Sequence, residues 1–225
     1  LGDVYKRQGY SSWREVDLTR WRPDTSLDPW GTWVYLQDME SGKFWSAGYQ
    51  PTGGKMSGLE VSFSANQAEF RQERNDISLN MEVTVPPDED AEIRRITLVN
   101  RSDRPRRLRI LSYGEVVLAD RQTDERHPAF NKLFIESEIL PENNMLLFRR
   151  RQRKSTEEPL FLGHFLVEEK ESAGKIQFEG DRAAFIGRGA STRSPRVLVE
   201  ARPLSGSVGA LSLIHISEPT RLRRI

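Results

Sequence analysis

Three histidines and one acidic cluster are the side chains best suited to acid–base or metal chemistry. His127 precedes Pro128 in a loop, and His164 lies within an apolar run, where a hydrogen-bonded sheet residue is the simpler interpretation. Residues 88–90 (DED) are consecutive on a turn and point apart, whereas carboxyl groups that work together on a sugar stand roughly 5–10 Å apart. The sequence therefore predicts no catalytic residue and no metal ligand.

Cysteine usage and charge balance exclude several classes of protein. The chain has no cysteine, which excludes disulfide scaffolds, zinc–thiolate sites and thiol catalysis. Its 34 Lys and Arg residues against 33 Asp and Glu residues leave a net charge of +1, without the basic excess typical of proteins that bind nucleic acid. A basic run at 149–154 (RRRQRK) lacks the interleaved aromatic residues that stack on bases. We therefore expect neither a nucleic-acid partner nor a cofactor.

Tryptophan is the most informative residue type in this chain. All five tryptophans fall between positions 13 and 45. Indole rings stack on the apolar faces of sugars, so this composition suits carbohydrate recognition, but large aromatic residues also fill sandwich cores. Strand alternation favours the core for Trp33 and Trp45. Trp13, Trp21 and Trp30 lie in turn-rich sequence beside arginines such as Arg14 and Arg22, and for them both interpretations remain open.

The body of the chain alternates apolar and polar residues with a period of two, which predicts antiparallel β-structure. Gly and Pro residues punctuate the strands at intervals of roughly ten residues, and no helical period runs uninterrupted. Strands are predicted at 32–37, 43–46, 59–63, 77–85, 93–99, 108–118, 133–139, 145–148, 160–167 and 176–178. The fold class is all-β, an antiparallel two-sheet sandwich with helix confined to short turns.

Both ends of the chain read differently from its body. Residues 1–8 (LGDVYKRQ) and 212–225 (SLIHISEPTRLRRI) resemble translated sequencing-adapter sequence, and a native basic tail is the alternative at the C-terminus. We therefore expect residues 9–211 to form the domain and the two tails to be non-native and unpacked.

Eight motifs along the body resemble those of a known enzyme family, in the same order. They are GYSSWR (9–14), LTRWRPD (18–24), DPWG (28–31), WSAGYQPT (45–52), SYGEVVL (112–118), HPAFNKLF (127–134), FIGRG (185–189) and RPLSGSVGA (202–210). The chain resembles the N-terminal β-sandwich domain of the cellobiose and chitobiose phosphorylase family, glycoside hydrolase family 94, formerly glycosyltransferase family 36. The resemblance is strongest to the phosphorylase-like region of cyclic β-1,2-glucan synthases.

This resemblance implies a supersandwich, related in fold to galactose mutarotase, whose first strands lie upstream of residue 9. In the family a helical linker and an (α/α)6 barrel follow, and inorganic phosphate is the co-substrate of the barrel's inverting reaction. It implies an incomplete enzyme whose partners are the missing barrel and a β-linked glucan or disaccharide, and it leaves open a homodimeric parent. The expected location is the cytoplasm, or the cytoplasmic face of the inner membrane if the parent is a membrane-bound synthase.

The resemblance also suggests residues that contact sugar. The 127–134 segment implies acceptor binding near the active-site mouth, with Lys132 aligned to a family arginine, although Asn131 and Lys132 depart from that pattern. The predicted substrate-binding residues are His127, Phe130, Asn131, Lys132, Trp13, Arg14, Arg22 and Trp30. Core packing is the alternative for Phe130. The predicted function is the carbohydrate-binding and assembly domain of a phosphorylase or glucan synthase, inactive alone; the alternatives are a free-standing carbohydrate-binding module and, less favoured, a structural spacer.

Overall fold

The computed structural model describes residues 9–23, 29–54, 58–152, 157–167 and 176–208, and the backbone of a strand at 213–222. Its secondary structure is mostly antiparallel sheet, and each described α-helix has at most six residues. The predicted all-β, antiparallel fold is confirmed. The expected tail at residues 1–8 lies outside the described residues.

The described part of the chain contains fifteen strands and four short α-helices. The strands are β1 (Ser12–Trp13), β2 (Val16–Thr19), β3 (Trp33–Asp38), β4 (Phe44–Ser46), β5 (Glu60–Phe63), β6 (Gln67–Arg74), β7 (Ile77–Thr84), β8 (Ile93–Asn100), β9 (Arg106–Gly114), β10 (Val116–Ala119), β11 (Ile135–Leu140), β12 (Met145–Arg150), β13 (Leu160–Phe165), β14 (Gln177–Phe178) and β15 (Leu213–Leu222). The α-helices are α1 (Arg121–Arg126), α2 (Pro128–Lys132), α3 (Arg182–Ile186) and α4 (Arg196–Val199), and a 3-10 helix covers Pro141–Asn143.

Two antiparallel sheets form the main sandwich. One has the strand order β14-β15-β9-β3-β4, and the other has the order β5-β6-β7-β8. Apolar side chains of β3, β4 and β9 pack against those of β6 and β7, because alternate residues of each strand point into the shared core. The largest contributors are Trp45, Phe70 and Met81, all of them buried. The predicted core position of Trp45 is therefore confirmed.

Strand β3 is buried along its whole length because its sheet is covered on both faces. On the second face, Trp33 and Tyr113 pack with Phe185 of α3 and Leu198 of α4. The Tyr113 and Phe185 rings stack with centroids 5.3 Å apart. This second core confirms the predicted burial of Trp33, and it holds α3 beside the end of β9.

A third core joins the smaller sheets. Strand β10 pairs with β2, and its Val116 and Leu118 pack on a three-stranded sheet of order β11-β12-β13. Phe148 of β12 and Phe178 of β14 complete this core. Helices α1 and α2 lie between β10 and β11 in the chain, so they are held at the corner where these layers meet.

Most strand predictions agree with the structure, and three differences are informative. The predicted strand at 108–118 is two strands, β9 and β10, separated by Glu115. Strand β6 was not predicted, because its polar sequence QAEFRQER hides the alternation of Phe70 and Gln72, which are the buried positions. The short α1 lies between two predicted strands, and its start is specified locally by the side chain of Asp120.

The expectation that residues 212–225 are unpacked is wrong for the part that the structure describes. The backbone of β15 pairs with β9 from Leu213↔Gly114 to Leu222↔Arg106, with a register shift between Ser217 and Thr220. An open strand edge offers a row of unpaired N–H and C=O groups, which an extended segment can pair with largely irrespective of its side chains. The non-native origin of this segment remains a prediction.

Candidate functional site

Buried charged side chains form a connected network at the corner made by β2, β10, α1 and α2. Arg20 donates from Nε and Nη2 to the two carboxylate oxygens of Asp124, at 2.8 and 2.7 Å. Its Nη1 donates to Glu115 Oε2 at 2.7 Å. All three side chains are at most 6% exposed. One guanidinium group therefore neutralises parts of two carboxylates in a fixed, bidentate geometry.

Each member of this network sits where a regular element begins or ends. Arg20 directly follows β2, and its backbone N–H donates to the carbonyl of Glu115 at 2.7 Å. Glu115 occupies the break between β9 and β10. Asp124 is in the first turn of α1, which is capped by the Asp120 carboxylate accepting from the backbone N–H of Thr123 at 2.9 Å. Backbone geometry thus brings the three charges together.

Helix α2 adds Asn131 and Lys132 to this corner. Proline at the first helical position suits the start of α2, since that residue needs no backbone donor. The Asn131 amide donates to the Val117 carbonyl at 3.2 Å and to Asp124 Oδ1 at 3.3 Å, and its oxygen accepts from Arg150 Nη1 at 2.5 Å. Asn131 is buried, so it holds α2 against β10 and α1.

Glu115 accepts from four side chains among the described residues. It accepts from Tyr113 Oη at 3.0 Å and Arg182 Nε at 2.5 Å through Oε1, and from Lys132 Nζ at 3.5 Å through Oε2. Burial works against its ionisation, but Lys132, Arg182 and Arg20 outweigh that effect, so the pKa of Glu115 lies below its ordinary value. Burial raises the pKa of Tyr113 well above its usual range, with a further contribution from Glu115, and the phenol remains a donor.

An aromatic side borders the network. The guanidinium carbons of Arg20 and Arg22 lie 5.7 and 5.4 Å from the ring centroid of Trp30, within range of cation–π attraction. Arg22 also donates from Nη2 to the Asp124 carbonyl at 3.2 Å. Of the predicted sugar-binding residues, the structure therefore brings together Arg22, Trp30, Asn131 and Lys132.

A second aromatic group flanks α1 on its outer side. Tyr10 and Trp21 stack with centroids 5.3 Å apart, and Arg121 lies 5.1 Å from the Trp21 ring. Arg121 is held by Asp17, with Nε donating to Oδ2 at 3.1 Å. Trp21 is partly buried against these neighbours, so this group extends the aromatic border along α1.

Phe130 and His127 lie on the exposed side of α2. Phe130 is 52% exposed and meets Phe134 edge-on at 5.2 Å, so the alternative that placed it in the core is wrong. His127 is exposed and joins α1 to α2, its backbone N–H donating to the Thr123 carbonyl. Both residues are exposed to solvent, whereas Lys132 is directed at Glu115.

Trp13 and Arg14 stand apart from the network. Trp13 is the last residue of β1 and Arg14 lies in the turn that follows, at the opposite end of β2 from Arg20. Arg14 has a φ of 53°, and its guanidinium carbon lies 4.2 Å from the Trp13 ring centroid. The structure therefore divides the predicted site residues between two places.

Sequence reasoning missed Arg20, Glu115, Asp124 and Arg182 as members of the site. A signal existed for Glu115, a lone charge between the apolar runs of β9 and β10, since a buried charge requires partners. Arg20 and Asp124 carry no such signal because 104 positions separate them in the chain. Arg182 likewise contacts Glu115 across 67 positions.

Neither a metal centre nor a membrane-spanning helix is found in the described part of the chain. Among the side chains that the structure describes, no group of three or more His, Asp or Glu residues is arranged to hold a metal ion. None of the helices in the described ranges is long and apolar enough to cross a membrane.

The fold and the network define a class of protein: an antiparallel two-sheet sandwich with a charged, aromatic-bordered corner at one side. Residues 7–215 match the model of the glycosyl hydrolase 94 supersandwich domain. The chain belongs to this domain family, as its ordered motifs predicted.

Curated relatives share the domain within much longer proteins. The cyclic β-(1,2)-glucan synthase NdvB of Rhizobium meliloti (strain 1021) is 31% identical over 201 residues, which are 89% of this chain and 7% of that protein. The N,N'-diacetylchitobiose phosphorylase of Vibrio furnissii is 26% identical over 86% of this chain and 24% of its own length. The solabiose phosphorylase of Paenibacillus borealis is 21% identical over 84% and 23%, respectively. The chain thus spans less than a quarter of each of these relatives.

Proposed function

We propose that this chain is the carbohydrate-binding and assembly sandwich of a larger glycan-processing enzyme, an inverting β-glucoside or β-1,2-glucan phosphorylase or a cyclic β-1,2-glucan synthase. The observation that carries the proposal is the family match along the domain, joined to relatives that are named as a glucan synthase and as phosphorylases. The reaction then belongs to an (α/α)6 barrel outside this chain, with inorganic phosphate as the parent's co-substrate. The proposed ligand is a β-linked glucan or disaccharide, and the proposed location of the parent is cytoplasmic.

We propose that the sugar contacts the outward side of the α1–α2 corner. Lys132 donates to sugar hydroxyls, and the exposed ring of Phe130 offers a face for stacking. Arg22 and Trp30 extend the contact along the border of the network, and His127 lies at its end. Asn131 supports these residues from below, since its three hydrogen bonds hold α2 in place.

Binding by the 225-residue chain itself is the first experiment. Titration calorimetry with sophorose, a β-1,2-linked glucose disaccharide, cellobiose and chitobiose should show saturable binding of at least one of them, and none of maltose, which is α-linked. Lys132→Ala and Phe130→Ala should each weaken that binding. The matched control is Arg149→Ala, which removes an exposed cation of β12 whose side chain pairs with Glu136. Failure of every β-linked sugar to bind would remove the carbohydrate-binding role.

Steady-state kinetics of the full-length parent enzyme test whether the α1–α2 corner contributes to acceptor binding or to the chemical step. Lys132→Ala should raise KM for the acceptor sugar more than it lowers kcat, because it removes binding shared by the ground and transition states. Unchanged acceptor kinetics would leave the domain as scaffold. Tight sugar binding by the chain combined with unchanged parent kinetics would instead favour the alternative of an independent binding module.

A further inference from the structure

Strand β15 fills a gap between two other strands of its sheet. Its backbone pairs with β9 on one side through eight residue pairs, and with β14 on the other side through two. Because β9 and β14 are not neighbours in the strand order, without β15 each would present an open row of N–H and C=O groups at this gap. On its other side, β9 already pairs with β3. The gap is therefore a site for one extended strand.

The pairing with β9 tolerates an irregular sequence. Its register shifts between Ser217 and Thr220, so two residues of β15 face a single residue of β9 there. One of the two is Pro219, which has no N–H to donate, and a bulge is a position where a strand accommodates proline. Regular pairing resumes beyond the bulge. The gap therefore requires an extended backbone more than it requires a particular sequence.

The described cores on the two faces of this sheet are built by other elements. Among the described residues, the core beside α3 and α4 draws on positions 33–204, and the core shared with the second sheet draws on positions 34–110. Strand β9 contributes to both, through Leu111 and Leu108 respectively. Replacing β15 by the same strand of another copy would leave these packed groups unchanged, and it would keep every backbone pair of the strand.

We propose that β15 is exchanged between two copies of this chain, each copy placing its residues 213–222 between β9 and β14 of the other. Residues 209–212 join this strand to the described residues before it, so the exchange requires one short connection to open. Because the exchanged and unexchanged forms make the same strand pairs, protein concentration sets the balance between them. The partner is thus a second copy of the chain in a symmetric dimer. This interaction does not depend on the proposed carbohydrate role.

Disulfide cross-linking of the 225-residue chain tests the exchange without background, since the chain has no cysteine of its own. Cα atoms of antiparallel partners lie about 4.5–5.5 Å apart, a distance that a disulfide bridges. Ser112→Cys and His215→Cys occupy partner positions, and they are placed in separate chains that are mixed, refolded together from urea and oxidised. We expect a disulfide-linked heterodimer, because an exchanged strand brings position 215 of one chain beside position 112 of the other.

A second partner pair and a crossed pair control for chance contact. Arg107→Cys and Arg221→Cys are also partners, and Arg107 is exposed, so this pair should link even if Ser112→Cys disturbs the fold. Ser112→Cys mixed with Arg221→Cys is out of register by about 17 Å along the strand and should link at least about 10-fold less. Thermal melting of each variant checks that it folds.

Protein concentration provides the remaining check. In the double variant with Ser112→Cys and His215→Cys, a dilute sample should form the bond within one chain. A rise of about 100-fold in concentration should raise the ratio of linked dimer to linked monomer at least about 10-fold. Linked monomer alone at every concentration would show that each chain keeps its own strand, which overturns the proposal. Equal linkage in the partner and crossed pairs, or no bond in either partner pair, would overturn it as well.

Discussion

Arg20 illustrates how a buried charge depends on complete pairing. Its guanidinium spans Asp124 and Glu115, and all three groups are removed from water. Desolvation consumes much of the attraction between buried charges, so such a network adds little net stability over an apolar replacement of the whole set. Removing one member is different, because it leaves the others buried and unpaired. Replacement of a single member of the network is therefore expected to lower the free energy of unfolding strongly.

Replacing Arg20 alone should be severely destabilising. We expect Arg20→Met to lower the free energy of unfolding by about 3–5 kcal/mol, the usual cost of breaking a buried ion pair. Arg149→Met removes an exposed pair with Glu136 and should cost less than about 1 kcal/mol. Urea denaturation measures both. A small effect of Arg20→Met would mean that the corner opens to water.

Acid should destabilise the domain partly through Glu115. Because its pKa is lowered in the folded state, its ionisation stabilises the fold above its unfolded value of about 4.3, and that contribution is lost as pH falls through the lower folded-state pKa. Stability measured from pH 6 to pH 3 should therefore fall less steeply in Glu115→Gln than in the parent chain. Parallel curves would show that other carboxylates, such as Asp38, account for the acid sensitivity.

Residue types and motifs predicted part of the site. The remaining members could not be predicted, because residues far apart in the chain form their ion pairs. Lys132, Arg22 and Trp30 could be proposed from motifs that surround them. Arg20 and Glu115 are 95 positions apart, and no local sequence pattern predicts that the two strand ends lie next to each other. Long-range ion pairs of this kind depend on strand pairing, which period-two alternation predicts only as the presence of strands and not as their order.

At the scale of elements, most strands were predictable and the short helices were not. Alternation in segments such as Ile77–Thr84 has a direct physical cause, since one face is buried. Helices α3 and α4 have five and four residues, too few for a helical period to emerge. They are held instead by tertiary contacts, such as Gln37 Nε2 donating to the Leu198 carbonyl at 2.7 Å.

Gly187 lies where the end of α3 approaches α4 too closely to admit a side chain. Its φ is 88°, and a Cβ there would lie 2.9 Å from Arg196 Cβ. Gly187→Ala should lower the free energy of unfolding by about 1–3 kcal/mol through backbone strain, with the clash added. Gly189 has a φ of 76°, and a Cβ there would meet nothing within 4 Å, so Gly189→Ala carries strain alone and should cost less. Thermal denaturation of the two variants makes the comparison; equal losses would show that the clash relaxes freely.

At the scale of the whole molecule, exposed apolar side chains shape behaviour in solution. Strand β13 carries Phe161 and Phe165 on its outward face, each more than half exposed. Gly163 lies between them, opposite Leu147 of β12. Both phenylalanines point away from the core that contains Leu146, Phe148 and Leu162. An apolar outer face on a strand at the edge of its sheet favours association.

Polar replacements on this face should improve solubility without loss of fold. We expect Phe161→Ser with Phe165→Ser to raise the monomer fraction in size-exclusion chromatography at matched concentration. Phe148→Ser, on the buried face of the neighbouring strand, should unfold the domain. Identical elution of the parent chain and the double variant would show that this face does not drive association.

The distance in the chain between Arg20 and its partners also determines when the ion-pair network can form during translation. Glu115 leaves the ribosome 95 residues after Arg20, and Arg182 follows Glu115 by a further 67. At about 5–20 residues per second, Arg20 waits roughly 5–20 s for its first carboxylate. Until then the buried ion-pair network cannot form. The apolar faces of the first strands therefore remain exposed and can associate with other nascent chains. A pause in translation between positions 20 and 115 would lengthen that exposure, so codon usage in this interval bears on the yield of folded protein.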